Sequence, residues 1–149
     1  MLIKLAHWLR RVYYFIVRPI TVGVRILLIA EGQVILVKHS YEDGWFLPGG
    51  GIKRGETLEQ AIHREAAEEC GAELHQVQFI GTYDNFVEYK SDHVSLFLSE
   101  NFTLHEKHDH EIEKLSAFPL DLLPENTTPG SRRKIEAYIN GSLESSGVW

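Results

Sequence analysis

Apolar side chains near the start of the chain recur at spacings of three and four residues, as one face of a helix requires. This spacing predicts an amphipathic helix over residues 2–17 that ends before Pro19. Its longest uncharged apolar run, Val12–Val17, is far below the ~20 residues that a membrane-spanning helix needs. Arg10 and Arg11 divide the apolar part, which argues against a signal peptide. The apolar positions are Leu2, Leu5, Leu9, Val12, Tyr13 and Ile16.

Three interpretations of this helix remain open. It can be an arm packed on the domain or on a second subunit, a helix lying on a membrane surface, or a frayed end. The arm is favoured, a homodimer through the helix is its expected consequence, and a membrane partner is not expected. We therefore divide the chain into an N-terminal arm, residues 1–19, and a following domain, residues 20–149.

The pattern after Pro19 alternates between strands and helices. Thr21–Ala30 is apolar and β-branched and is predicted as a buried strand. Glu31 and Gly32 are predicted to form a turn that leads into a second strand, Gln33–Val37, so the two strands are expected to form a hairpin. Two further strands and a short turn of helix are predicted at Val77–Thr82, His93–Leu98 and Leu120–Leu123.

Capping signals position the two remaining helices. Thr57 is predicted to cap a helix over Leu58–Cys70, and Gly71 to end it. The Thr128-Pro129 pair is predicted to begin another helix that runs to about residue 139. A central helix with strands on both sides, followed by a helix near the end, predicts an α/β fold in which helices sandwich a mixed β-sheet.

The central helix carries three glutamates within five positions, where like charges three or four residues apart repel one another. At 100° per residue, Glu65 and Glu69 continue the stripe that Leu58 and Ile62 begin, and Glu68 lies at its edge. A run of glutamates is usually a solvated face, but this stripe is the side that a helix normally turns toward the protein. Buried carboxylates must be paired, protonated or bound to metal.

These carboxylates favour a hard divalent cation. Arg64, four residues before Glu68, can neutralise one of the three charges but not all of them. Oxygen ligands without His or Cys at matching spacing suit Mg²⁺, Mn²⁺ or Ca²⁺ rather than Zn²⁺. The preceding Gly49–Gly51 turn lets the backbone approach a ligand closely. The pattern predicts a magnesium site beside a phosphate, where metal ions can activate water for an in-line displacement.

Residues 50–72 resemble the signature of the Nudix hydrolase family. That signature is Gly, five residues, Glu, seven residues, Arg-Glu, an aliphatic residue, any residue, Glu-Glu, any residue, Gly and an aliphatic residue. Every charged and glycine position matches, and Ala66 and Ala72 stand at the two aliphatic positions. The resemblance extends over roughly residues 20–139. The matching residues are Gly50, Glu56, Arg64, Glu65, Glu68, Glu69 and Gly71.

The resemblance implies a Nudix-type α/β/α sandwich and a metal-dependent hydrolysis. Mg²⁺, with Mn²⁺ as a substitute, would support cleavage of the pyrophosphate bond in a nucleoside diphosphate linked to another moiety. The metal is assigned to Glu65, Glu68 and Glu69, with the carbonyl of Gly50 as an added ligand. Glu56 would hold a metal-bound water or brace the loop.

The resemblance also suggests an orienting residue and a general base. Arg64 would orient the carboxylates through charge-assisted hydrogen bonds. Nudix enzymes often supply a further carboxylate from a loop after the main strands, as a metal ligand or as the base. Glu111 is the first candidate, Glu113 the second, and a helix glutamate the alternative. The competing interpretation is that Glu111 only solvates a loop.

Candidates for substrate binding follow from residue type and position. A tyrosine at about the position of Tyr89 occurs in some dinucleoside-polyphosphate hydrolases of the family. Each candidate also has an ordinary role, since aromatic side chains are usually core and a lysine at a strand end is often solvated. The candidates are Lys38 for a phosphate, Gly50 and Gly51 for close backbone approach, and Trp45, Tyr89, Tyr41 and Phe86 for a nucleobase.

The length and the charge of the chain limit which kinds of partner are expected. A chain of 149 residues is expected to form one domain that is long enough to bury a proper core. The first 30 residues carry +5 and the remainder −11 of the net −6, and an acidic body argues against general nucleic-acid binding. Cys70 is the only cysteine, which fits a reducing, cytoplasmic location.

The substrate stays open at this level. ADP-ribose, a nucleotide sugar, a dinucleoside polyphosphate and an oxidised nucleoside triphosphate all fit the expected chemistry, and each is a small-molecule nucleotide. The alternative function is a non-catalytic Nudix domain that senses nucleotides or mediates protein interaction. Degenerate members of that kind usually lose one of the helix glutamates. None is missing here, so an enzyme is favoured.

Overall fold

Three helices and seven strands make up most of the described chain. The computed structural model describes residues 2–87, 89–106 and 112–149. The helices are α1 (Leu2–Val17), α2 (Leu58–Cys70) and α3 (Pro129–Ile139). The strands are β1 (Ile20–Ala30), β2 (Gln33–His39), β3 (Gly49–Gly51), β4 (Ala72–Val87), β5 (Lys90–Leu104), β6 (Ile112–Pro119) and β7 (Ser146–Val148).

The strands form one mixed sheet in the order β6-β2-β1-β5-β4-β7, and β3 pairs with β1 beside β2. β1 runs parallel to β5, and β4 runs parallel to β7. The other pairs are antiparallel, including the β1–β2 hairpin and the long β4–β5 hairpin. β1 is therefore a central strand, which agrees with its continuous run of apolar side chains.

The sheet is covered on both faces. Alternate residues of β1 point to opposite sides, so Val24 and Ile26 pack in one core with Ile62 of α2. Leu27 packs in the other core with Ile135 of α3. The predicted α/β/α sandwich is confirmed, and α2 is placed with its buried side over β1.

The described elements extend the predicted ones. α2 and α3 have the predicted bounds, and β2 continues two residues further to His39. The strands of the β4–β5 hairpin are much longer than predicted, because a backbone ladder continues through polar, exposed residues that carry no apolar signal. The segment Leu120–Leu123 is a turn, closed by the amide of Leu122 on the carbonyl of Pro119 at 3.0 Å, and not helical. Pro124 disfavours helical backbone at Leu123, so the turn does not continue as a helix.

α1 forms as predicted and ends at Val17, and the amide of the next residue, Arg18, donates to the carbonyl of Tyr14 at 2.8 Å. It contacts the tip of the β4–β5 hairpin, where the ring of Phe15 lies 5.0 Å from that of Tyr89, edge to face. Most of its large apolar side chains are exposed. Across the described residues, no helix is both long and apolar enough to cross a membrane.

Candidate functional site

The glycine turn is held tightly against β1. Gly50 pairs with Val24, and Gly49 pairs with Arg25. Gly49 has φ 141°, and a Cβ there would overlap the carbonyl oxygen of Val24, so only glycine fits. The guanidinium of Arg25 donates to the carbonyls of Leu47 and Gly49 at 2.9 and 2.8 Å. The turn is thus fixed from both the backbone and a side chain.

Local signals fix where α2 begins and ends. The hydroxyl of Thr57 accepts the amide of Gln60 at 3.1 Å, and the side chain of Gln60 accepts the amide of Thr57 at 2.9 Å. This reciprocal pair is a capping box. Gly71 ends the helix in the left-handed conformation with φ 63°. The position of the glutamates along the helix therefore follows from short-range chemistry.

Arg64 gathers three carboxylates. Its Nε and Nη2 donate to the two oxygens of Glu56 at 2.7 and 2.9 Å. Its Nη1 donates to Glu65 at 2.6 Å and to Glu68 at 3.2 Å. Its Nη2 also donates to the carbonyl of Gly51 at 3.0 Å, which ties the helix to the turn. The single positive charge of Arg64 is therefore shared among three carboxylates, one of which, Glu56, lies outside the helix.

The pair of Glu56 and Arg64 shifts the ionisation of both groups. The hydrogen bond from Arg64, helped by the amide of Lys53, lowers the pKa of Glu56 to about 2. The same contact with Glu56, the largest cause, raises the pKa of Arg64. The contacts of Glu56 with the amide of Lys53 and with Arg64 join the turn to α2.

Glu69 is held by the turn itself. One carboxylate oxygen accepts the amide of Gly49 at 2.9 Å, and the other lies 3.9 Å from Nε2 of His39. His39 is buried at the end of β2 between the rings of Tyr41 and Phe46, 5.1 and 5.2 Å away. Glu69 thus sits between the glycine turn and β2, with its direction set by a backbone amide.

Gly50 brings the turn into contact with Glu65. A Cβ on Gly50 would lie 2.7–2.9 Å from the carboxylate atoms of Glu65, so the absence of a side chain leaves room for that carboxylate. Oxygen donors from Glu65, Glu68, Glu69 and the glycine backbone are the ligands that hard divalent cations prefer. Among the described residues, no three acidic, His or Cys side chains converge on one ion-sized position. Glu65 and Glu68 are instead engaged by the guanidinium of Arg64.

A family model described as the NUDIX domain matches residues 18–138. The chain belongs to the NUDIX domain family. The glycine turn, Arg64 and the glutamates of α2 all lie within the matched segment. Members of this family typically use divalent metal ions, in agreement with the oxygen-rich donor set described above.

Relatives with known names support the family and the fold. An RNA pyrophosphohydrolase of Marinomonas sp. (strain MWYL1) is 40% identical over 73 residues, which cover 49% of this chain and 44% of that protein. The chain thus spans less than half the length of this curated relative. The MutT NUDIX hydrolase of Burkholderia pseudomallei has a similar structure, with TM-score 0.70, 26% identity and coverage of 78% of this chain and 96% of that chain. A mutator MutT protein from Bacillus halodurans shares the fold, with TM-score 0.71, 20% identity and coverage of 83% and 85%.

The substrate candidates lie at different places in the NUDIX domain. Gly50 and Gly51 adjoin the carboxylates. Lys38 alternates with His39 along β2 and so points to the other face, where its ammonium lies 3.8 Å from Glu113. Trp45 packs edge-on against Phe118, with ring centroids 4.8 Å apart. The structure brings the glycines, but not Lys38 or Trp45, to the glutamate cluster.

The remaining candidates lie at the β4–β5 hairpin and before β6. Tyr89 is exposed at the hairpin tip, with φ 64°, and contacts α1. Glu111 lies outside the described residues. The next residue, Ile112, pairs with His39, which places the start of β6 beside the strand end that approaches Glu69. Both assignments therefore stay predictions.

Sequence reasoning missed two residues of the site, Arg25 and His39. Arg25 interrupts an otherwise apolar strand, and such a charge is a signal that its side chain has a polar partner. His39 lies two residues beyond Val37, where the strand was predicted to end, so its burial depends on the extra length of β2. Its contact with Glu69 is tertiary and has no signature in the sequence.

Proposed function

We propose that this NUDIX domain hydrolyses the pyrophosphate bond of a nucleoside diphosphate linked to another moiety, with Mg²⁺ as its cofactor and Mn²⁺ as a substitute. The observation that carries the proposal is the group of glutamates on α2 beside the glycine turn. A Cβ on Gly50 would fill the space that the carboxylate of Glu65 occupies. Glu65 and Glu68 share the guanidinium of Arg64, and the ammonium of exposed Lys53 lies 3.7 Å from Glu68. A divalent cation would complete the charge balance.

In this proposal each residue has a separate task. Glu65, Glu68 and Glu69 hold the metal, with the Gly50 carbonyl as an added ligand and Glu56 anchoring Arg64. A divalent ion bound there supplies Lewis acidity, which lowers the pKa of water and offsets charge on the phosphoryl oxygens. The remaining assignments are Arg64 orienting the carboxylates, and Gly50, Gly51 and Tyr89 contacting substrate. Lys38 pairs with Glu113 and Trp45 packs against Phe118, both away from the glutamates, so neither is assigned to substrate.

The reaction consumes one water. Its oxygen bonds to one phosphorus, the bond from that phosphorus to the bridging oxygen breaks, and the bridging oxygen leaves on the other phosphate. A carboxylate must accept the proton that water loses. We assign the role of this base to the carboxylate of Glu111, with a helix glutamate as the alternative. The reason is that β6 begins beside His39, the last residue of β2, which lies 3.9 Å from Glu69.

The assignment of the base predicts different results for two neighbouring glutamates. Glu111→Gln is expected to lower kcat by about 100-fold or more, the usual range for a general base. Glu113→Gln is the matched control and is expected to stay within a few-fold of wild type, since Glu113 pairs with Lys38 on the opposite face of β2. Steady-state kinetics with Mg²⁺ measure both. Equal kcat in the two variants would remove Glu111 from the mechanism.

The substrate is tested by a panel. It comprises ADP-ribose, a nucleotide sugar, a dinucleoside polyphosphate and an oxidised nucleoside triphosphate. An RNA bearing a 5′-triphosphate is added because the relatives are named RNA pyrophosphohydrolases. A pyrophosphate in RNA can lie only at a terminus, since internal linkages are single phosphates. Small nucleotides are expected to be cleaved in preference to RNA, because the body of the chain is acidic.

Product analysis decides between enzyme and sensor. Mg²⁺-dependent cleavage of one substrate class, abolished by EDTA and restored by Mn²⁺, supports the proposal. Nucleotide binding with no cleavage of any panel member would instead support the non-catalytic sensor.

For the domain organisation, we propose that residues 1–19 are an arm and residues 20–149 the catalytic domain, in keeping with a family match that begins at residue 18. A cytoplasmic location is proposed from the lone cysteine.

A further inference from the structure

The apolar stripe of α1 is exposed, although it is the part of the helix that would normally be buried. Its residues, Leu5, Leu9, Val12 and Ile16, are between 38% and 73% exposed. They form a continuous row along a helix of 16 residues, about 24 Å long. Exposed apolar surface of this extent marks an interaction site.

The contacts of α1 with the domain use its other flanks. The ring of Tyr14 lies 5.4 Å from the ammonium of Lys90, and Phe15 packs on Tyr89. The amide of Ser91 donates to the carbonyl of Pro19 at 3.1 Å, directly after the helix. These contacts seat the helix on the hairpin tip, and the described part of the domain leaves the row from Leu5 to Ile16 exposed.

We propose that this stripe packs against α1 of a second copy of the chain. Its residues are spaced by four, three and four positions, which is the a/d repeat of paired helices. A stripe of this kind is narrower than the apolar face of a helix that packs on a globular core. The positions beside this seam hold Trp8, Tyr13 and Phe15, so no charge borders it. Identical seams are complementary under two-fold symmetry.

The charge distribution favours a second copy over a lipid surface. The helix and its end carry Lys4, Arg10, Arg11 and Arg18 and no acid, whereas residues 31–149 carry −11. An anionic bilayer would attract the arm but repel the acidic body.

The available area is sufficient for a dimer. The large apolar side chains of α1 together expose on the order of 800 Å², which is what each partner contributes to a standard interface. The area comes from seven residues that have more than a third of their surface exposed and do not contact the hairpin tip: Leu5, Trp8, Leu9, Val12, Tyr13, Ile16 and Val17. The proposed interface lies apart from the glutamates of α2, so it does not depend on the proposed reaction.

Sedimentation of the full chain tests the proposal. Wild type is expected to sediment with twice the chain mass, and Leu9→Glu with the mass of one chain and an unchanged turnover. Arg10→Gln is the matched control, because it changes the net charge by the same amount at an exposed position about 130° around the helix from the seam. It is expected to remain dimeric. Ile16→Gln, a neutral change at an exposed site, is expected to weaken the dimer at least about tenfold, the effect of 1.4 kcal/mol.

Other outcomes would overturn the proposal. They are a wild-type monomer at all concentrations, or the same dimer in Leu9→Glu, Ile16→Gln and Arg10→Gln. Co-sedimentation with phosphatidylglycerol vesicles is the second measurement. A monomeric wild type that binds these vesicles, and loses binding with Leu9→Glu, would assign the stripe to lipid instead. Far-ultraviolet circular dichroism of each variant checks that α1 is retained, and Ile16→Gln decides the result if Leu9→Glu loses helix.

Discussion

Glu69→Gln is expected to lower kcat/KM by more than about 100-fold, while the fold is retained. Losses of 10–100-fold are typical when a group that only supports a metal ligand is removed, so the loss of a ligand should exceed them. The amide has nearly the same shape as the carboxylate, and its oxygen can still accept the amide of Gly49 at 2.9 Å. What is removed is the negative charge that a divalent cation requires.

The matched control is Glu59→Gln. Glu59 is exposed in the first turn of the same helix, so the change in net charge is the same but the carboxylate cluster is untouched. Kinetics with Mg²⁺ and the affinity for Mn²⁺, followed by its paramagnetism, are measured for both variants. Weaker Mn²⁺ binding and slow turnover in Glu69→Gln alone support the assignment. Wild-type turnover in Glu69→Gln would show that this carboxylate is not a ligand.

Short-range chemistry made much of this site predictable. Thr57 and Gly71 set the bounds of α2, and the helical period then fixes which glutamates share a face. The glycine turn was predictable for the same reason, since positive φ has a direct signature in the sequence. These signals act over a few residues, so they fix the glutamates along α2, whereas the contact of Glu65 with Gly50 also depends on the pairing of the turn with β1.

Contacts that depend on tertiary structure were not predictable in the same way. Glu56 reaches Arg64 only because the turn folds back on the helix, and this contact changes how the charge of the cluster is balanced. The sequence of β6 has little apolar alternation, and only its residues Ile112 and Phe118 pack on a core. This segment is a strand because it pairs with β2, and that pairing has no signal in the local sequence. β3 consists of three glycines and has no side-chain pattern to detect.

The stripe of α1 shows a third limit. Its spacing predicted an amphipathic helix correctly, because that period is a local property. The same spacing does not determine what covers the apolar side, since a core, a second copy and a membrane surface all select apolar residues at these positions. The contacts of Tyr14 and Phe15 with the hairpin tip resolve this in part, because they show that the domain occupies a different flank.

Gly50→Ala is expected to reduce turnover by about 100-fold or more and to leave the melting temperature within a few degrees of wild type. A Cβ at this position would lie 2.7–2.9 Å from the carboxylate of Glu65, and that carboxylate is the far end of a flexible side chain. The added methyl group would therefore displace Glu65, a ligand in the proposed metal site, without forcing the backbone to move. Gly50 is not among the residues with positive φ, so alanine causes no backbone strain.

The neighbouring glycines separate this effect from a loss of stability. In Gly49→Ala the Cβ would overlap a backbone oxygen at φ 141°, so unfolding should become easier by more than about 3 kcal/mol. In Gly51→Ala the Cβ meets nothing within 4 Å, so this variant is the stability control. Thermal unfolding and Mg²⁺-dependent kinetics are measured for all three. If Gly50→Ala lost as much stability as Gly49→Ala, the glycine turn would have a structural role only. If Gly50→Ala had normal turnover, Glu65 would not be a metal ligand in its position beside Gly50.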